Sequence, residues 1–312
     1  MLRTPAKDAP GSAARSRAGR ARRASGRRRR FVLGCVTFYL GAPKEALESL
    51  RSGAELARSS GDTQTLALSL GQSAWVLAEL GKRDEALGSA EECLELIEAL
   101  SGWARGAALS CVGAARTSSG DLAGAEPLST EALRLSRATG DELSIASTLN
   151  NLGYLALLQG TYSEAGAYLE ESLAITRRLN DRFRIALVLG NLGILAVLEG
   201  RSEEAVATLT EELRLSSARG DRRLACEAIL GLASAHAALG NPQLAVKLHA
   251  AQRTLEEATG LVGSWGPGQA ERLERSILRA RAELDPAVVA ALTEQGSAMT
   301  PEAVLAELEE LE

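Results

Sequence analysis

The sequence predicts an all-α fold, an α-solenoid of about six helical hairpins followed by a C-terminal helical cap. Three observations carry that prediction. Hydrophobic residues make up 46% of the 312 residues but aromatics only 3%. Ala, Leu, Gly and Glu dominate after residue 30, a mixture that suits Leu/Ala-packed helices rather than sheets. Glycines recur at Gly41, Gly81, Gly120, Gly160, Gly200 and Gly240, spaced by 40, 39, 40, 40 and 40 residues. Each is flanked by compact residues: Ala46, Ala86, Ala125, Ala165, Ala205 and Ala245 lie five positions after, and Gly34, Ala74, Gly113, Gly153, Gly193 and Ala233 seven before. Six copies in phase mark a repeat array.

Each element of the repeat has a physical reason. The middle glycine stops a first helix, because a left-handed residue costs glycine little. The flanking small residues lie on the two helices of a hairpin and let their backbones approach. Leu70, Leu109, Leu149, Leu189 and Ile229, with Leu33, Val112, Leu152, Leu192 and Leu232, fall on one helical face and fill the remaining contacts. Gly61-Asp62, Gly140-Asp141, Asn180-Asp181 and Gly220-Asp221 separate successive hairpins. There Gly or Asn ends one helix and Asp caps the next. The unit is thus two helices of about 18 residues joined by a tight turn. The third repeat departs from the pattern, with Trp103 where Asp is expected, Arg116 at a packed position and Pro127 inside a helix. These predict a bend or a loosened interface near residues 101–130.

The segment 261–268 reads as a loop from its Gly and Pro content, and helices are expected over 269–283, 286–295 and 301–311. Their expected role is to cover the open apolar face of the sixth repeat. The domain plan is a basic leader (1–26), a six-repeat solenoid (27–258) and C-terminal capping helices (259–312).

The stretches 149–173 and 189–213 carry the pattern most clearly, with Gly153/Ala165 and Gly193/Ala205 at the twelve-residue step. They resemble the tetratricopeptide repeat family in a longer-helix form, since the period is 40 rather than the usual ~34. The family's Trp is replaced by Leu or Ile and its terminal Pro is missing. The resemblance implies a right-handed solenoid whose first helices line a concave groove. Gly296, Met299, Thr300, Glu302 and Ala303 are similar to the end of bacterial LuxR-type and signalling-ATPase regulators. The chain therefore resembles the C-terminal sensor arm of such a protein.

Residues 1–30 hold 11 of the 35 basic residues and one of the 40 acidic ones, leaving 24 basic and 39 acidic in the remainder. The acidic body argues against a nucleic-acid surface. The leader reads as disordered, with three alternatives: no function, an arm for an acidic partner or nucleic acid, or an export signal of twin-arginine type. Cys35, Cys93, Cys111 and Cys226 show no metal-ligand spacing and read as reduced packing residues of a cytoplasmic protein. The longest apolar run, residues 185–198, is too short to span a bilayer. No phosphate-binding, nucleophile-elbow or HExxH motif occurs, and His236 and His249 share no acid or cysteine cluster. The expectation is a non-enzymatic scaffold without cofactor or metal, binding a protein, peptide or ligand in bacterial signalling or transcriptional control. The alternatives are a remnant of a multidomain regulator and binding through the leader. Extrapolating the family's geometry, the groove is expected at Phe31, Cys35, Tyr39, Trp75, Glu79, Ser110, Asn150, Tyr154, Ile194 and Glu227. Phe38, Ala114 and Ser234 lie beside them.

Overall fold

The computed structural model describes residues 26–259 and 268–310, and among these every regular element is helical. Six hairpins follow one another. They pair α1 (residues 26–39) with α2 (Pro43–Ser60), α3 (Thr63–Glu79) with α4 (Arg83–Glu95), and α5 (Gly102–Ser118) with α6 (Leu122–Thr139). The series continues with α7 (Glu142–Gln159) and α8 (Tyr162–Arg178), α9 (Arg182–Leu198) and α10 (Ser202–Arg219), and α11 (Arg222–Ala238) and α12 (Pro242–Thr259). Then come α13 (Gln269–Ala282), α14 (Pro286–Ser297) and α15 (Pro301–Glu309). The leader and most of the 261–268 loop lie outside the described residues.

The compact residues do what their spacing implies. Ala46, Ala86, Ala125, Ala165, Ala205 and Ala245 are all fully buried. A Cβ placed on Gly34 would stand 2.6 Å from Leu50, and one on Gly153 would stand 2.6 Å from Leu169. At Gly193 it would overlap Leu209. Each glycine thus makes room for a leucine four residues beyond the helix-B alanine. In the second hairpin the corresponding residues are Ala74 and Ala90, both buried, so two small residues share the space. Within hairpins the turn is a left-handed glycine such as Gly160 (φ 80°), after which the Thr161 amide donates back to the Ala156 carbonyl at 3.0 Å. Between hairpins, Asp62, Asp141, Asp181 and Asp221 each accept from the amide three residues on, at 3.1–3.3 Å.

The third repeat is irregular, but not where the sequence places the bend. Helix α4 stops at Glu95, and a short 3₁₀ turn (Ile97–Ala99) and an extended Leu100 precede α5. Helix α6 runs unbroken past Pro127, and Arg116 lies 3.5 Å from Asp121 while donating to the Gly124 carbonyl. Leu33 is 46% exposed rather than packed, because nothing among the described residues lies on the outer face of α1.

The array curves until its first hairpins meet its last. The Tyr39 ring lies 4.8 Å from that of Phe183, and Arg219 donates to the Tyr39 carbonyl at 3.3 Å. Arg223 approaches Glu79 at 3.8 Å. Beyond the hairpins, α13 packs on α11, α14 on α12 and α15 on α10. Gly296 lets α14 approach, since a Cβ there would overlap the Lys247 carbonyl. No described helix is long and apolar enough to cross a membrane.

The interlock gives a paired prediction. Gly193→Ala is expected to destabilise by about 1–3 kcal/mol through overpacking against Leu209. Gly88→Ala, with open space around its Cβ on α4, is expected to stabilise by about 0.5–1 kcal/mol. Melting followed by circular dichroism checks both; a Gly193→Ala melt at or above wild type would remove the interlock.

Candidate functional site

The inner helices α3, α5, α7, α9 and α11 enclose two adjoining cavities, of about 80 and 200 Å³. They share Trp75, Asn150, Asn151 and Leu187 as a common wall. Both are below the ~300–1,000 Å³ of a pocket that encloses a drug-sized ligand. They suit a side chain or a small molecule.

Eight of the ten groove residues line these cavities. Trp75, Glu79, Asn150, Tyr154, Ile194 and Glu227 surround the smaller one; Tyr39 and Ser110 join Trp75 and Asn150 around the larger. Phe31 and Cys35 line neither. Phe31 packs on the core of the first hairpins, and Cys35 is half-buried with its thiol pushed up to about 12 by burial. Of the residues beside them, Ala114 lines the smaller cavity, whereas Phe38 is buried at 4.9 Å from the Trp75 ring and Ser234 meets Ser276 of α13 at 2.9 Å. The aromatics therefore form a wall of rings in tilted and edge-to-face contact, not free anchors standing in solvent. That wall exists because curvature brings Tyr39 to Phe183.

The larger cavity is rimmed by hydroxyls and amides joined across neighbouring helices. Thr148 and Asn151 donate to Ser110, each at 3.2 Å, and Arg184 donates to Ser147 at 2.9 Å. Asn191 donates to Asn150 at 3.0 Å, and Tyr154 donates to Gln269 at 3.0 Å, tying α13 to the channel.

The smaller cavity is charged. Glu79, Glu212 and Glu227 share it with Arg223. Arg223 donates to Glu227 at 2.8 Å, and Ser118 donates to Glu79 at 3.2 Å. Burial raises the Glu227 carboxyl to about 7, with Arg223 opposing and Glu79 adding. Burial also raises Glu79, against Arg223 and Ser118. Glu212 is pushed well above the ordinary carboxylate range, first by burial and then by Glu227. Burial alone would depress Arg223, but Glu227, Glu79 and Asp221 hold it above its usual value.

Glu212 and Arg223 are absent from the residues picked out by sequence. Their register held the signal. Positions equivalent to Glu212 carry Gly53, Cys93, Ala132, Ser172 and Gln252, and those equivalent to Arg223 carry Gln64, Trp103, Leu143 and Phe183. The capping position of the third repeat is therefore Ser101, two residues before Trp103, rather than Trp103 itself as the sequence pattern suggests. Charge appears only in the copies that meet across the channel. The histidines sit elsewhere: His236 is buried beside Asn241, and His249 lies 3.5 Å from Glu274. Among the described residues no three His, Cys, Asp or Glu side chains converge as metal ligands. The four cysteines are unbridged.

A family model described as tetratricopeptide repeat matches residues 105–178 and 144–218. Together these matches make residues 105–218 a tetratricopeptide-repeat stretch within the helical-hairpin solenoid. A second model, anaphase-promoting complex subunit 5, matches residues 29–79. No curated protein matches the sequence. Among solved structures, a Rap protein complexed with competence and sporulation factor is similar at TM-score 0.66 and 19% identity, over 89% of this chain and 75% of that one. BtubC (BKLC) from P. vanneervenii is similar at 0.52 and 20%, over 70% and 90%. A signal transduction ATPase with numerous domains, carrying a tetratricopeptide repeat sensor, from Pyrococcus horikoshii is similar at 0.53 and 16%. That match covers 90% of this chain but 43% of the ATPase, so this chain spans less than half of it. At these identities the likeness shows the fold.

The raised carboxyls give a pH prediction. The unfolded chain releases the Glu212 proton near 4.5, whereas the folded chain keeps it to higher pH. Folded protein thus binds more protons above about pH 4.5, and stability falls as pH rises through that window. Glu212→Gln removes this term. The variant's stability relative to wild type is expected to improve steadily as pH is raised from about 4.5. Denaturant melts of both proteins across pH check this; a difference independent of pH would contradict it.

Proposed function

We propose that this protein is a recognition scaffold that takes up a peptide segment or small ligand on the concave side of its solenoid. The supporting observation is the channel itself: buried polar and aromatic side chains from five inner helices facing two small cavities. Tyr39, Trp75, Glu79, Ser110, Asn150, Tyr154, Ile194 and Glu227 are the proposed contact residues. The setting we infer is bacterial signalling or transcriptional control. The similar Rap structure is titled as a complex with a competence and sporulation factor, and the similar ATPase as carrying a tetratricopeptide sensor. We further propose that residues 27–258 form the recognition unit and that α13–α15 seal its end.

Binding rather than catalysis is favoured by the make-up of the channel. Its carboxylates face a guanidinium, amides and the Ser118 hydroxyl, which donates to Glu79 at 3.2 Å, and no histidine joins them as a base. A second reading, that the chain acts as the sensor portion of a larger regulator, draws on the partial span of the ATPase match. ATPase sequence encoded directly upstream in frame would favour it.

The test is partner or ligand capture by the chain from extracts of its source cells. Asn150→Leu with Tyr154→Phe strips polar groups from the channel while keeping a branched and an aromatic side chain in place. The variant is expected to keep its helicity and to lose at least about tenfold in capture, since it removes hydrogen bonds a bound ligand would use. Undiminished capture would place recognition elsewhere.

A further inference from the structure

We infer that the cavity between α3, α10 and α11 receives an organic ammonium group, held by Glu212 together with Glu79 and Glu227. The inference rests on the concave side being the recognition surface. Glu212 carries it. The residue is 0% exposed, lines the cavity, and has no hydrogen-bond donor at either carboxyl oxygen. A buried carboxyl left alone is costly whether it is charged or neutral. Packing does not require it, since equivalent positions carry Gly, Cys, Ala, Ser and Gln. It rests against Gly190, where a Cβ would come within 3.1 Å of its carboxyl carbon. The local sequence therefore keeps space open for this carboxyl.

Charge and size then name the ligand class. Three carboxylates face one guanidinium, and that guanidinium is engaged by Glu227 at 2.8 Å and Glu79 at 3.8 Å. With all three ionised, the cavity is short of positive charge. Its 80 Å³ exceeds the ~10–15 Å³ that one water needs and fits a compact head group. An alkylammonium offers three donors, and Asn150 and Asn191 supply carbonyl acceptors beside the carboxylates. Trp75 and Tyr154 also line the cavity. The three carboxylates are spread around the cavity and do not close on one point as metal ligands do, so an organic cation with spaced donors suits it better than a metal ion. Anions are repelled.

The charged groups facing Glu212 are Glu227, Arg223 and Asp221. A bound cation favours the ionised carboxyl, so uptake releases a proton to solvent and affinity rises with pH. A free amine and a lysine side chain on a peptide share this chemistry.

Calorimetric titration of the full chain separates them. The probes are n-butylammonium, 1,4-diaminobutane and an end-blocked pentapeptide with a central lysine. The controls are 1-butanol and the same peptide with norleucine. At least one ammonium probe is expected to bind while its neutral control does not, with affinity rising from about pH 6 to about pH 8. Glu212→Gln, confirmed folded by its melt, should weaken binding by at least about tenfold. Binding of the free amines assigns a small molecule; binding of the lysine peptide alone assigns a peptide side chain. Failure of all three ammonium probes, equal binding of the neutral controls, or undiminished binding by Glu212→Gln overturns the inference. If capture nevertheless remains sensitive to Asn150→Leu with Tyr154→Phe, the cation site falls and concave recognition stands. If capture is insensitive as well, both fall.

Discussion

Everything in this molecule depends on how closely two helices of a hairpin can lie. Side chains missing at Gly34, Gly153 and Gly193 admit Leu50, Leu169 and Leu209 into the facing helix, where all three are fully buried. That contact fixes the hairpin, and repeated stacking of like hairpins fixes the curvature. Curvature then does what no single hairpin can: it brings a ring on α1 against a ring on α9 and a carboxylate on α3 near a guanidinium on α11. The channel chemistry follows from packing geometry and was not built by any local motif.

This hierarchy explains what the sequence revealed. The hairpins were legible because their determinants are local and repeated: a left-handed glycine, a capping aspartate, a small residue at each close approach. The helix bounds around Gly160 and Asp181 could be read almost to the residue. The third repeat was harder. Pro127 and Arg116 looked disruptive, yet α6 tolerates the proline and Asp121 and Gly124 accommodate the arginine. The break lies earlier, in residues 96–101, where no single residue announces it.

The candidate site was legible only in outline. Family geometry indicated the inner helices, and eight of the ten residues it picked line the cavities. It could not show that Tyr39 and Trp75 are engaged with Phe38 and Phe183, because that depends on how far the array winds. Glu212 was invisible for a different reason. On a helix rich in Glu and Arg it looks like one more solvated charge, and only comparison with Ser172 and Gln252 at the same register shows that the position faces inward.

The closing contacts turn the solenoid into something like a split ring whose two lips touch. Small rotations at the successive junctions between α1 and α11 add up at Tyr39–Phe183 and Glu79–Arg223. The gap there registers the sum of every stacking angle along the way, much as the jaws of a caliper register a displacement along its beam. A group lodged in the cavities therefore rests against both lips at once, between hairpins far apart in sequence.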